Sequence, residues 1–356
     1  MKNLKKEFPV TTNYIHLNTA ASGLLSETLL DFRQNHDLDY LVMGSLLKND
    51  QDKFLDGVRK DVGSYFNCDA SQVGLVPNFS LGFNAVLEAL PKNSKIALLK
   101  EDYPSINWPV LSRGFKTCYA SIDENLENNI LECVTKEKPD YLCLSLVQYI
   151  SGIQVNFDFL KELKQAYPNL IIIADGTQYC GVESFNFKES GIDILGASAY
   201  KWMNAGYGNG FFLIKNEVTS NLKLKTTGFN SVRGTFKEED DSFIGGLEPG
   251  HLDTLAQGSL QASIKLIKRI GQDQITNQID LLKQKAMEMF SEKKLVDPII
   301  SKRAQHSSIF NIKGDQKLFN KLIENNIICS QRGTGIRVSF HYFNSEDDLT
   351  KLSRLI

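Results

Sequence analysis

Two apolar runs constrain this chain more than any other feature. Leu170 to Ala174 reads LIIIA and stops on Asp175-Gly176, and Ile192 to Ala197 stops on Ser198-Ala199-Tyr200-Lys201. Runs of that length are too short for a helix, and with no polar alternation they read as strands buried on both faces of a parallel sheet. Open sheets of this kind place their ligands outside the carboxyl ends of the strands. Neighbouring strands would therefore deliver a carboxylate, Asp175, and an amine, Lys201, to the same edge. The rest of the chain supports such a sheet. Val73 to Val76, Lys95 to Leu99 and Tyr141 to Val147 read as further strands, and Leu81 to Leu90 and Phe159 to Ala166 read as helices between them. Strands alternating with helices predict a mostly parallel sheet covered on both faces.

An acid and an amine at one sheet edge fit pyridoxal phosphate chemistry. A desolvated, partly deprotonated lysine is needed to condense with the aldehyde, and a carboxylate against the pyridine nitrogen keeps the ring an electron sink. Lys201 and Asp175 fit these roles. Gln178, three positions after Asp175, is placed to donate its amide to the ring phenolate, and Ser198 and Tyr200 carry hydroxyls for the phosphate.

The pattern D-x-x-Q followed by S-x-x-K resembles the class V aminotransferase family, the cysteine desulfurase-like branch of fold-type I pyridoxal phosphate enzymes. The resemblance implies a large domain with a mostly parallel seven-stranded sheet between helices, plus a smaller α+β C-terminal domain. It implies that Asp175 meets the pyridine nitrogen, Gln178 the phenolate, Ser198 the phosphate, and Lys201 the aldehyde. Tyr200 stands where desulfurases often have His. The segment Thr19-Ala20-Ala21-Ser22-Gly23 matches a family turn that lines the substrate pocket, which makes Ala20 and Ala21 candidate substrate contacts. Its small residues also permit close backbone approach.

Asn78 or Ser80 is placed to cap the helix after Val76, and a helix N-terminus is an anion site. The family binds phosphate there, which assigns Ser80 and the Phe79 amide to the cofactor. Tyr103 takes the place of the aromatic ring that the family stacks on the pyridine. Tyr149 departs from the family, which often has Asn near it. His251, in Gly250-His251-Leu252, matches a residue that reaches the phosphate of the partner subunit, and this implies a homodimer with a shared site. Arg233 lies in a polar loop expected near that interface. Arg337, in Gly335-Ile336-Arg337-Val338-Ser339, matches the arginine that grips the substrate carboxylate, a task suited to its planar fork.

With 356 residues the chain is long for a single core. The expected division is a cofactor-binding domain over 15–254 and a smaller domain over 255–356 that includes 1–14. A formal charge of −2 gives no reason to expect nucleic acid or an anionic membrane as partner. The six cysteines show no paired spacing, so no metal site is expected and the thiols read as reduced, in the cytoplasm. The basic start MKNLKKEFPV lacks the apolar stretch of a signal peptide. The glycines of Gly206-Tyr207-Gly208-Asn209-Gly210 precede a strand rather than a helix, so they read as a link between antiparallel strands, not a dinucleotide fingerprint.

The function expected is that of a class V aminotransferase acting on a small α-amino acid. The alternatives are a cysteine desulfurase or other carbon–sulfur lyase, and a pyridoxal phosphate-binding protein without turnover. Desulfurases carry a nucleophilic cysteine on a loop before the arginine strand. Here Cys329 reads as part of a strand, where a thiol is usually inert.

Overall fold

The computed structural model describes residues 4–219, 222, 224–232 and 243–356. Arg233 lies outside the described residues. In chain order the strands are β1 (Ile15–His16), β2 (Val73–Val76), β3 (Lys95–Leu99), β4 (Lys116–Ala120), β5 (Tyr141–Ser145) and β6 (Ile171–Asp175). They continue as β7 (Ile194–Ser198), β8 (Gly210–Ile214), β9 (Ile309–Ile312), β10 (Ile327–Ile328), β11 (Ser330–Arg332) and β12 (Gly335–Ser339).

A seven-stranded sheet runs in the order β2-β8-β7-β6-β5-β3-β4. From β4 to β7 all neighbours are parallel, and β8 joins β7 and β2 antiparallel. The crossovers after β3, β4 and β5 are the helices Pro104–Ser112, Leu126–Glu137 and Phe157–Ala166. Each crossover buries an apolar stripe against the sheet, as Leu160 and Leu163 do from the third. Every residue of β5, β7 and β8 is buried, as a strand covered on both faces requires. The strand order turns back between β3 and β5, so the loops after these two strands splay apart and open a crevice. Tyr103 and Tyr149 stand on those loops.

Two apolar cores flank the sheet. One gathers Phe66, Phe211 and Leu260 on one face, and the other Phe79, Phe83 and Phe212 on the opposite face. A third core, with Phe290, Phe310 and Phe340, belongs to the C-terminal part. There β11, β12 and β9 form an antiparallel sheet, packed against the helices Gln272–Glu292 and Glu346–Leu355. The short β1 pairs in parallel with β10, and Leu17 enters the third core. Residues 15–17 thus pack with the C-terminal part, although the expected boundary assigned them to the larger unit. Among the described residues no helix is long and apolar enough to cross a membrane.

Between β1 and β2 the chain forms two helices, Glu27–Met43 and Gln51–Phe66, joined by a 3-10 segment over Gly44–Asp50. Gly44 has φ +55, which ends the first helix where a residue with a Cβ would resist. Ser26 caps that helix by accepting the Leu29 amide at 3.0 Å. The last helix opens on a capping box, Ser345 with Asp348, of the S-x-x-D spacing visible in the sequence.

One contact ties strand β7, which leads to Lys201, to the helix Phe79–Ala89. The Phe212 ring lies in the space that a Cβ on Gly82 or Gly196 would take, 2.2 Å and 2.4 Å away. Gly196→Ala is therefore expected to displace the ring and to lower unfolding stability by roughly 1–3 kcal/mol. A urea midpoint equal to that of the parent would refute this packing argument.

Candidate active site

Strand β6 ends on Asp175, and β7 ends three residues before Lys201. The sequence folds so because Gly176 and the residues after Ser198 leave the sheet together, with the Gly176 amide donating to the Gly196 carbonyl at 2.8 Å. Both groups line a cavity of about 590 Å³ with Phe79, Ser80, Tyr103 and Ser198. Gln178, Ser145 and Tyr149 line its inner recess with the same acid and amine. Asp175 and Lys201 are 6% and 5% exposed, yet they form no ion pair and Lys201 Nζ has no hydrogen-bond acceptor among the described residues. The amine instead lies 5.5 Å from the centre of the Tyr103 ring and 5.6 Å from that of Tyr200.

Burial dominates the electrostatics. It pushes the Lys201 amine below its ordinary range, opposed by Asp175 and helped by Arg337 and Arg332. Burial likewise raises Asp175, opposed first by Thr177, whose hydroxyl and amide both donate to it, and then by Lys201. A carboxylate and an amine that share a cavity without touching leave room for a flat ring between them.

The surroundings of that space fit a phosphorylated pyridine. The helix Phe79–Ala89 points its N-terminus into the cavity, and Asn78 caps it by accepting the Leu81 amide at 2.9 Å. The Phe79 amide, expected to meet a phosphate directly, is committed to Ser198 Oγ at 2.8 Å. Its contribution therefore runs through that serine, whose own O–H remains for an anion. Ser80 Oγ donates to Ser105 Oγ at 2.8 Å. Gln178 is held at both ends, donating to the Ala20 carbonyl at 2.9 Å and accepting from the Trp202 indole at 2.8 Å; one amide hydrogen stays free to face the recess. Tyr200 stacks on Tyr207 with centres 4.7 Å apart, and burial raises its hydroxyl pKa.

The N-terminal turn meets the site as the small residues predicted. The Gly23 amide donates to the Tyr200 carbonyl at 2.9 Å, and a Cβ on Gly23 would fall 2.1 Å from the Lys201 carbonyl oxygen. Ala20 bridges to the C-terminal part, its amide donating to Ser339 Oγ at 3.0 Å. Ala21 continues the same turn, its amide donating to the Asn18 carbonyl. Two residues before Ser339, Arg337 is 3% exposed and donates through Nη1 to the Tyr149 carbonyl at 2.7 Å. Its Nε is buried without a partner. His251 is not brought into this cavity; it is exposed and lies edge-on to Phe229, 5.6 Å between centres. Cys329 is 6% exposed, and burial pushes its thiol up to about 12.

Several contributors escaped the sequence reading. Asp102, buried before Tyr103, accepts the amides of Tyr103 and Ser145 at 2.7 and 2.8 Å and so fixes the ring that covers the cavity. Thr177, inside the D-x-x-Q motif, ties Asp175 to the Ser198 amide through its hydroxyl. His341 supports the lysine loop from the C-terminal part. Its Nδ1 accepts the Tyr342 amide at 2.8 Å, which puts the proton on Nε2, and Nε2 donates to the Trp202 carbonyl at 2.9 Å. A wider cleft of about 970 Å³ opens elsewhere, but there Lys164 is already paired with Asp193 at 2.8 Å. Among the described residues no cluster of acidic, histidine and cysteine side chains is built to hold a metal.

Comparison with known proteins agrees with this geometry. The family model "Aminotransferase class-V" matches residues 17–352. An uncharacterized aminotransferase of Bacillus subtilis, YcbU, is 20% identical over 347 residues, covering 96% of this chain and 93% of that protein. The apo structure of a cysteine desulfurase from Thermococcus onnurineus superposes with a TM-score of 0.87 at 18% identity, covering 99% and 96% of the two chains. The cystine C–S lyase C-DES, with its product cysteine persulfide, gives 0.88 at 17% identity over 98% of each chain. At these identities the structures establish the likeness of fold alone.

Burial pushes His341 down to about 3 from the usual 6.5, so the unfolded chain binds more protons between those values. The neutral ring's contribution is full above pH 6.5 and declines as pH falls toward 3. Relative to neutral pH, about 2 kcal/mol of it is expected to be lost at pH 5. The stability gap between the parent and His341→Gln, measured by urea unfolding, should shrink over that range. A constant gap would contradict the assignment.

Proposed function

Because the chain belongs to the aminotransferase class-V family, we propose that it is a pyridoxal phosphate enzyme that removes the Cα proton of an α-amino acid and transfers its amino group. The observation that carries this reading is the buried, unpaired amine of Lys201 facing Asp175 across one cavity. When bound, pyridoxal phosphate supplies an aldehyde carbon and an electron-withdrawing ring. Asp175 would hold a proton at the ring nitrogen, Gln178 would donate to the phenolate oxygen, and Tyr103 would cover the ring. Ser80 and Ser198 would hold the phosphate, with the Phe79 amide acting through Ser198. Ala20 and Ala21 border the substrate.

Arg337 binds the substrate carboxylate and thereby turns the Cα hydrogen toward Lys201. Its fork is tethered by only one nitrogen, so two parallel bonds to a carboxylate remain available. Lys201 is the base. An amine lowered in pKa by burial is neutral in a useful fraction near neutral pH, as general-base work needs. The ring of Tyr103 and the tight N-terminal turn exclude water from that exchange.

A second reading is carbon–sulfur lysis without a protein persulfide. The buried, strongly protonated Cys329 disfavours a desulfurase that needs a mobile thiol. C-DES, a C–S lyase in its own right, shares the fold. In a mutant of C-DES glycine is covalently linked to the pyridoxal phosphate cofactor, and the same cofactor is assigned to this chain.

The enzyme acts as a homodimer with His251 reaching the partner's site. Support comes from the exposed apolar run at the end of the helix Glu27–Met43 and just beyond it, where Leu41 and Val42 are 81% and 77% exposed beside Tyr40 and Leu46. His251 lies at that surface: His36 Nε2 bonds Thr254 Oγ1 at 2.8 Å and Gln51 Nε2 donates to the Leu252 carbonyl at 3.0 Å. The reduced state of all six cysteines supports a cytoplasmic location.

The test of function is absorbance of purified, cofactor-supplemented protein mixed in a single turnover with each common amino acid. The expected result is conversion of the visible band with release of the matching keto acid, lost in Lys201→Ala and retained in Cys329→Ala. Sulfide, ammonia and pyruvate from cysteine, in place of the matching keto acid 3-mercaptopyruvate, would favour the lyase reading, and protein that takes up no cofactor would refute both. For assembly, Leu41→Glu combined with Val42→Glu is expected to convert a dimer into monomer on sedimentation, with weaker cofactor retention. A parent that sediments as a monomer would refute the shared site.

A further inference from the structure

Resting on that reading, the geometry points to a second arginine, Arg332, as the residue that selects an α-amino acid carrying an anionic side chain. The argument begins with strand register. Arg337 of β12 stands opposite Ser330 of β11, and Arg332 stands opposite Gly335. Side chains alternate along a strand, so Ser330, Arg332 and Arg337 share one face, with Arg332 on the diagonal from Arg337. Diagonal neighbours of an antiparallel pair sit about 7–8 Å apart, within reach of long side chains. That face is the one turned to the site, since Arg337 reaches the Tyr149 carbonyl.

The hairpin is held in place. Gly333, at φ +56, occupies the first position of the two-residue turn, where a residue with a Cβ is strained. The turn leans on Ile150, whose side chain would lie 3.4 Å from a Cβ on Gly333. Asn311 of β9, opposite Arg337, donates to the Arg332 carbonyl at 2.8 Å. The charge of Arg332 is felt at both Lys201 and Arg337, lowering the pKa of each.

Among the described residues no acidic side chain pairs with these cations. Among the described residues Arg332 forms no ion pair, and its side chain makes one hydrogen bond there, from Nη1 to the neighbouring Gln331 carbonyl at 2.9 Å. Arg337 Nε and Ser330 Oγ are buried without partners. Two orphaned donors and a spare guanidinium on one face match a substrate with two negative groups. The α-carboxylate takes the two free nitrogens of the Arg337 fork beside the Ser330 hydroxyl, and the side-chain anion takes the Arg332 fork at the exposed rim. A neutral side chain would leave the Arg332 charge without a counter-ion. The shared chemistry is a carboxylate, phosphate or sulfinate group at the end of a short side chain.

The test compares near-isosteric substrates on the holoenzyme: glutamate with glutamine, and aspartate with asparagine. Phosphoserine and cysteine sulfinate are further arms that identify the anion. The anionic member of each pair is expected to have the higher kcat/KM, and Arg332→Gln to lower the anionic-to-neutral ratio about tenfold. Arg332→Lys, which keeps the charge but loses the fork, should recover part of the ratio. A calorimetric titration with glutarate and with butyrate reads the same preference without turnover, and Arg332→Gln should abolish it. Equal or better use of neutral amino acids, or a ratio and binding preference unchanged in Arg332→Gln, overturns the assignment of Arg332 and leaves the enzyme reading intact. Failure of every amino acid to react would instead strike the enzyme reading, and the glutarate titration would still decide the role of Arg332.

Discussion

An amine kept out of water and unpaired with the acid that faces it is the constraint on which the rest of this structure depends. A lysine buried beside a carboxylate would ordinarily close an ion pair, because uncompensated burial of charge is costly. Here Asp175 leaves β6 and Lys201 leaves the loop after β7, and the gap between them is maintained by what holds each side. Thr177 occupies the carboxylate through its amide and hydroxyl, and the same hydroxyl accepts the Ser198 amide. On the other side the lysine loop is fixed by Gly23, by Asn204, which accepts the Leu24 amide at 2.8 Å, and by His341 on the Trp202 carbonyl. The energy that folding does not recover from an ion pair is left available for a ligand that fits the space.

The sheet explains why this arrangement needs few dedicated parts. Parallel strands end together, so residues far apart in the chain emerge at one edge without long loops to order. Asp102 shows the economy: one buried carboxylate accepts the amide after β3 and an amide at the end of β5, and so sets the crevice where strand order reverses. Its burial raises its pKa, and its charge in turn helps raise Asp175. Two acids near each other in a dry site favour a cationic occupant, and a protonated ring nitrogen is one.

The parts that were legible in the chain are those governed by local pattern. Apolar runs marked β6 and β7 to within two residues, because strands buried on both faces need no alternation. The capping box at Ser345 was readable for the same reason, since its partners lie three residues apart. What local pattern cannot encode is pairing across the chain. The Phe79 amide looked free as a helix N-terminus, but Ser198, distant in sequence, takes it. The turn over 31–66 hid behind helical composition, since one glycine at positive φ outweighs many helix formers. Residues 15–17 joined the C-terminal part because β10, hundreds of positions later, offers the edge that β1 lacks elsewhere. His251 carried a motif but lies exposed against Phe229, away from this cavity.

The C-terminal part is therefore more than a lid fused to a finished site. Its β12 supplies Arg337 to the Tyr149 carbonyl and Ser339 to the Ala20 amide, and Ala20 in turn accepts from Gln178. His341, two residues on, reaches behind Lys201 to the Trp202 carbonyl. One strand and its continuation thus touch the crevice loop, the substrate turn and the lysine loop in a span of five residues. Any shift of β12 against the large sheet would move Arg337 and loosen the support of the Lys201 loop together. On the proposed roles, the arginine for the substrate carboxylate and the lysine that serves as base would be placed by a single rigid element rather than by two independent loops.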